Sequence, residues 1–265
     1  MELVKFTETV FSSRDKKGIL TPDSDGYYTV VVGALNTYNS AGEYYTAEGA
    51  LDLFNSSSSF QRRIKSGALY SEVGHPKKQQ GMTMDAFYNR VIAIDEGNIC
   101  GHFSEIYLDF DFGKKNPDIG NPDLIAIIGK VKPAGAKANA LQLALDNPKQ
   151  NAAFSVRGLT KNTNVNGRME RKLYNIITFD HVSEPGIPIA DKYMAPGLEA
   201  RISTECYGVR ELSDTIVDVE TLKRVLSNNI SNISNISTES NTYDYYSNLL
   251  QSLAPKVVHN RLSEW

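Results

Sequence analysis

Ala153-Phe154-Ser155-Val156-Arg157-Gly158-Leu159, then a turn-rich segment at 161 to 168, then Lys172-Leu173-Tyr174-Asn175-Ile176-Ile177-Thr178-Phe179-Asp180-His181-Val182: the fold and chemistry of this chain turn on that run. Both flanks are rich in β-branched and aromatic residues, so each reads as a strand. A hydroxyl left unpaired inside such a strand costs on the order of 1–3 kcal/mol, so Ser155 needs a partner. Eighty positions earlier, Gly67-Ala68-Leu69-Tyr70-Ser71-Glu72-Val73-Gly74-His75-Pro76 offers an imidazole at a bend. Pro76 pushes His75 toward extended backbone, and Gly74 frees its angle of approach.

A serine hydroxyl is a poor nucleophile until an imidazole takes its proton, and the imidazole needs a third group to orient it and stabilise its cationic form. Ser155, His75 and Asp180 fill those roles. His181 is a second candidate for the third one; alternation along a strand lets only one of the two face His75, and Asp180 is preferred. Arg157 and Gly158 can offer a guanidinium and backbone N–H groups to a developing oxyanion. Plainer readings stand beside these: a histidine bonded to a backbone carbonyl, a strand serine bonded to its neighbour, and a surface arginine.

The rest of the chain sets the frame. With 265 residues, 41% hydrophobic and 22% charged, it reads as one main domain over 1–226, a flexible linker over 227–242 and a tail segment over 243–265. A net charge of −3 lacks the basic excess of a nucleic-acid binder. No apolar stretch nears the ~20 residues of a membrane span, and the start lacks a signal-peptide core, so a cytoplasmic protein without a membrane partner is expected. Cys100 and Cys206 form no metal or disulfide pattern, His102 and Glu105 fall on opposite strand faces, and no nucleotide-binding glycine motif is present. The expectation is therefore an activity without metal or cofactor.

Strands are expected at Tyr27 to Ala34 and Leu124 to Val131, and a hairpin with arms Phe87 to Ile94 and Ile99 to Phe110. Helices are expected at Ala47 to Lys65, where Ser56 to Ser59 interrupt the pattern, at Ala134 to Leu145, and at Val217 to Leu226. The Asn-Ile-Ser repeat within 227 to 240 is too polar to offset its ordering entropy and reads as the linker. A short helix at Tyr245 to Leu253 would present Tyr245, Tyr246, Leu249, Leu250 and Leu253 to a partner.

Leu69-Tyr70-Ser71-Glu72-Val73-Gly74-His75-Pro76 with Phe154-Ser155-Val156-Arg157-Gly158-Leu159 resembles the prohead serine proteases of tailed bacteriophages, which share a fold with the herpesvirus assemblins. Ser71 departs from that pattern, which has glycine before Glu72. The resemblance implies an α+β fold with an antiparallel β-barrel core flanked by helices, and a serine endopeptidase with His75 as base, Ser155 as nucleophile and Asp180 orienting the imidazole. It implies phage scaffold and capsid proteins as substrates, cut after glutamate inside the assembling procapsid in the host cytoplasm, and it is compatible with a homo-oligomer. It also implies removal of the chain's own C-terminal tail, for which Ser237-Thr238-Glu239 offers a site. Two other readings remain: a catalytically inactive structural or scaffold-binding capsid-assembly protein, and an esterase with a convergent triad.

Overall fold

The computed structural model describes residues 3–6, 10–11, 19–196, 209–210, 215–234, 246–248 and 250–251. After β1 (Leu3–Phe6) and β2 (Val10–Phe11) comes the expected strand β3 (Tyr28–Leu35), then the short β4 (Thr37–Tyr38) and β5 (Tyr44–Thr46). The helix expected from Ala47 is split into a 3-10 turn at Leu51–Phe54 and α1 (Ser59–Lys65). The serine run starts the second piece: the Ser58 hydroxyl accepts from Gln61 N at 3.1 Å as an N-cap.

β6 (Tyr70–Glu72) leads into α2 (Met84–Ile92), which corrects the expected hairpin. Phe87, Tyr88, Val91 and Ile92 are buried on one helical face, and the Thr83 hydroxyl caps the start by accepting from Ala86 N. Their spacing follows the 3.6-residue period, which the apolar content of the run masked. The other arm is a strand, β7 (Ile99–Asp109), but it pairs with β6 and with β8 (Ile125–Pro133). α3 (Phe112–Lys115) precedes β8, and the expected helix α4 (Ala138–Asp146) follows it.

β9 (Ala153–Val165) and β10 (Arg168–Val182) form one long hairpin. The segment at 161 to 168 thus continues the ladder, and only Asn166 and Gly167, with φ of 52° and 83°, make the turn. Two positive φ values in a two-residue loop are what a type I′ hairpin requires, and Asn-Gly is the pair that tolerates them. β11 (Val209–Arg210), β12 (Thr215–Asp218) and α5 (Val219–Ser234) complete the chain order.

The strands form a sheet ordered β12-β1-β9-β10-β5-β4, a second ordered β3-β8-β7-β6, and the pair β11-β2. Among these strands every pairing is antiparallel except that of β5 with β10. The second sheet curls onto the first where Val73 bridges His181 and Gly74 N donates to His181 O at 2.7 Å. The outcome is an α+β fold in which the expected barrel is a curled half-barrel.

Between the sheets, Phe103 stacks edge-on against Phe154 and Phe179, and Phe60 against Phe179, with centroids 6.0–6.3 Å apart. A second core lies on the opposite face of the hairpin, where Leu159 and Ile177 meet α2, α5 and Tyr246. α5 runs past the expected end at Leu226, because Leu222, Leu226 and Ile230 continue one stripe and Asn229 bonds Asn89 at 2.7 Å. The linker expected from Ser227 is therefore helical to Ser234; residues 235–245 lie outside the described residues. Of the short helix expected at Tyr245 to Leu253, residues 246–248 and 250–251 are described, as helix. Among the described residues no helix is long and apolar enough to cross a membrane.

Two bulges on β10 decide which residue faces Ser155. The register at the turn, Arg168 opposite Val165, would place Thr178 opposite Ser155 if it continued unbroken. Irregularities between Leu173 and Asn175 and between Ile176 and Thr178 each add one residue to β10, so Asp180 stands there instead. Each bulge has its own fixture. Arg63 of α1 donates to Ile176 O and Ile177 O at 2.7 and 2.8 Å, and Gly158 lets the Asn175 carbonyl approach so closely that no Cβ would fit. Gly158→Ala forces that backbone apart, and a loss of about 1–3 kcal/mol in unfolding free energy is expected by chemical denaturation.

Candidate active site

β6 ends at Glu72, and the left-handed Gly74, with φ of 69°, then turns the chain against the end of β10. There His75 Nδ1 donates to Asp180 Oδ2 at 2.7 Å. Asp180 is completely buried, and its second oxygen, Oδ1, accepts from Arg157 Nη2 at 3.0 Å and from Glu72 N at 3.3 Å. Ser155 stands directly opposite Asp180 in the hairpin, a placement that brings the two Cβ atoms to about 4.5–5.5 Å. The structure thus bonds His75 to Asp180 and sets Ser155 in register opposite Asp180 at one end of the β9–β10 ladder. His75 Nε2, the ring nitrogen not used by Asp180, is buried and makes no hydrogen bond among the described residues. A cleft bordered by Gly33, Asn39, Tyr45, Val156 and Ile187 reaches Ser155.

His181 points elsewhere, as strand alternation requires: its Nδ1 donates to Ala153 O at 3.1 Å and its ring lies against Phe154. Burial holds its pKa below the ordinary imidazole value. Of the two candidates for the third group, Asp180 is the one bonded to His75.

Arg157 lies in a different place from the one expected. Its side chain is buried, with Nη2 shared between Glu72 Oε1 at 2.8 Å and Asp180, and Nη1 directed to Val91 O and Ala93 O at the end of α2. Both Nη atoms of the guanidinium are committed to these four groups. Gly158 lies three residues beyond Ser155, about 10 Å along the strand, and serves the bulge.

Glu72 and Arg90 are members that the sequence reading did not assign. Glu72 is completely buried and accepts from Arg90, Arg157, Asp95 N at 2.9 Å and Asn98 Nδ2 at 3.2 Å. The signal was available in two charged residues, Glu72 and Arg157, set in apolar strands, since a buried charge demands a partner. Burial alone would push the Glu72 carboxyl upward, but Arg90, Arg157 and the Asp95 N–H outweigh it and hold it below its ordinary 4.5.

Other reactive types are occupied. The Tyr27 hydroxyl and Gly67 O bond the His102 ring, Glu105 pairs with Lys130 at 3.1 Å, and burial pushes the Cys100 thiol up to about 12. Cys206 lies outside the described residues.

An imidazole held by a buried carboxylate that itself stands opposite a strand serine is the side-chain set of a serine hydrolase. The profile of the Peptidase S80 family matches residues 6–249, and the chain belongs to that family of serine peptidases. It is 34% identical over 194 residues to the "Capsid maturation protease" of Pseudomonas phage phiKZ, covering 72% of this chain and 69% of that relative. No solved structure matches the chain.

The lowered Glu72 value gives stability a pH dependence of definite sign. A carboxylate depressed in the folded state contributes stability above 4.5 that is lost as pH falls through its lower folded value. Thermal denaturation between pH 7 and pH 3 should show the melting midpoint falling below pH 4.5, with a shallower fall and a lower starting point in Glu72→Gln.

Proposed function

We propose that this peptidase is a phage capsid maturation protease, working through Ser155, His75 and Asp180 on an assemblin-like scaffold. One observation carries the reading: the His75–Asp180 bond, with Asp180 in register opposite Ser155. Ser155 Oγ attacks the scissile carbonyl while His75 Nε2 takes its proton, and the buried Asp180 carboxylate stabilises the imidazolium. That proton then passes to the leaving amine as the C–N bond breaks, and water, activated by the same imidazole, hydrolyses the acyl-enzyme and restores Ser155. No cofactor is needed for these steps.

The name of the phiKZ relative supports capsid assembly as the setting, with scaffold and capsid proteins as substrates inside the procapsid. The resemblance of the motifs to prohead proteases supports cleavage after glutamate. Co-expression with the phage's own scaffold and capsid proteins tests the reading. Ser155→Ala should abolish their processing; processing that continued unchanged would show that Ser155 is not the nucleophile, and a fully inert wild type would favour a structural role.

The tail belongs to the same proposal. Ser237-Thr238-Glu239 lies between α5 and the segment at 246–251, so a cut after Glu239 would release the chain from Ser240 onward, including Tyr246. Intact-mass spectrometry of active enzyme should find a chain ending at Glu239, and Ser155→Ala should keep the full C-terminus. An intact tail on active enzyme would rule the cut out.

A further inference from the structure

Asp180 is bonded to the imidazole, yet nothing in an aspartate's own rotamer preferences fixes the plane of its carboxylate, because the terminal torsion is broad. Something else must hold Oδ2 on His75 Nδ1. The structure supplies a closed ring of three hydrogen bonds: Glu72 N donates to Asp180 Oδ1 at 3.3 Å, Arg157 Nη2 donates to the same oxygen at 3.0 Å, and Arg157 Nη2 donates to Glu72 Oε1 at 2.8 Å. Arg157 is kept in place by the Val91 and Ala93 carbonyls, and Glu72 by Arg90, by Asp95 N and by Asn98. Each side chain of the ring comes from a different strand, β6, β9 or β10. None of Glu72, Arg157 or Asp180 is more than 4% exposed.

We infer that Arg157 and Glu72 are positioning residues for catalysis: Arg157 fixes the Asp180 carboxylate in the plane that orients His75, and Glu72 offsets the guanidinium charge so that Asp180 keeps its stabilising effect on the imidazolium. The inference rests on the serine, histidine and aspartate roles proposed above. Glu72 and Asp180 are two buried anions set against the cations Arg157 and Arg90, with the half-exposed Asp95 carboxylate 3.7 Å from Arg90 at the rim. Without Glu72, Asp180 would face an uncompensated guanidinium, and the forming imidazolium beside it would gain less. Arginine suits the position because its planar fork can reach two carboxylates and two carbonyls at once, whereas an ammonium is a point charge.

The test separates orientation from packing. Arg157→Lys keeps the buried charge and loses the fork; kcat on a peptide substrate should fall about 10- to 100-fold with KM within about threefold, as expected when reacting groups are misplaced and substrate contacts are not. The rate at which a fluorophosphonate probe labels Ser155, forming the Oγ–P bond with loss of fluoride and transfer of the hydroxyl proton to His75, should fall in parallel. In the double variant Glu72→Met with Arg157→Met, both members of the buried pair become apolar, so the melting midpoint should recover relative to either single Met variant while kcat and labelling stay low.

Unchanged kcat in Arg157→Lys, a loss carried by KM alone, or turnover that returns together with stability in the double variant would overturn the inference. Should the Met variants fail to fold, Arg157→Lys decides alone. Ser155→Ala runs beside them: if it still cleaves, the nucleophile assignment fails, whereas an inert Ser155→Ala with a fully active Arg157→Lys removes only the positioning role.

Discussion

The arrangement of this site depends on one guanidinium placed between two buried carboxylates. Arg157 belongs to the six-stranded sheet, as does Asp180, while Glu72 ends the edge strand of the other sheet. Through them the curled half-barrel is joined at the point where His75 leaves β6. Desolvating either acid alone would be prohibitive, and removing one partner from such a buried pair typically costs about 3–5 kcal/mol. The cluster therefore couples folding to site geometry: the chain cannot close the two sheets over these charges in another register without leaving one of them unpaired.

α2 takes part in the same coupling. It fills the second core with Phe87, Tyr88, Val91 and Ile92, it sends Arg90 to Glu72, and its last carbonyls receive Arg157. Those carbonyls carry the partial negative charge of a helix C-terminus, which suits a cation. α5 and Tyr246 share that core with α2, so one apolar cluster links the helix that holds the site's charge cluster to the C-terminal segment.

Much of this architecture is legible in the sequence, and the misses have physical causes. Ser155, His75 and Asp180 can be singled out because each is a reactive group set where an apolar or constrained neighbourhood makes it costly, and β3, β8, α4 and both arms of the long hairpin come from their apolar patterns. α2 reads as a strand because Phe87 to Ile94 is rich in residues that suit either state, and only the spacing of its buried positions distinguishes them. The helical stretch after Leu226 reads as a linker because polar composition outweighs the Leu222-Leu226-Ile230 stripe, whose value comes from α2 lying beside it. Arg157 suggests an oxyanion role because it is a cation near a nucleophile; its burial against Glu72 depends on β6 packing there.

By itself the amino-acid sequence determined the chemical inventory: which residues can carry acyl transfer, that Ser155 and Asp180 lie on strand-like segments, and that a turn-rich segment at 161 to 168 separates the two. Register was decided only in three dimensions. Two single-residue bulges, held by Arg63 and by the absence of a side chain at Gly158, advance β10 by two positions and exchange Thr178 for Asp180 opposite Ser155. A bulge is a local concession to packing between elements distant in sequence, so strand alternation within one segment carries no record of it.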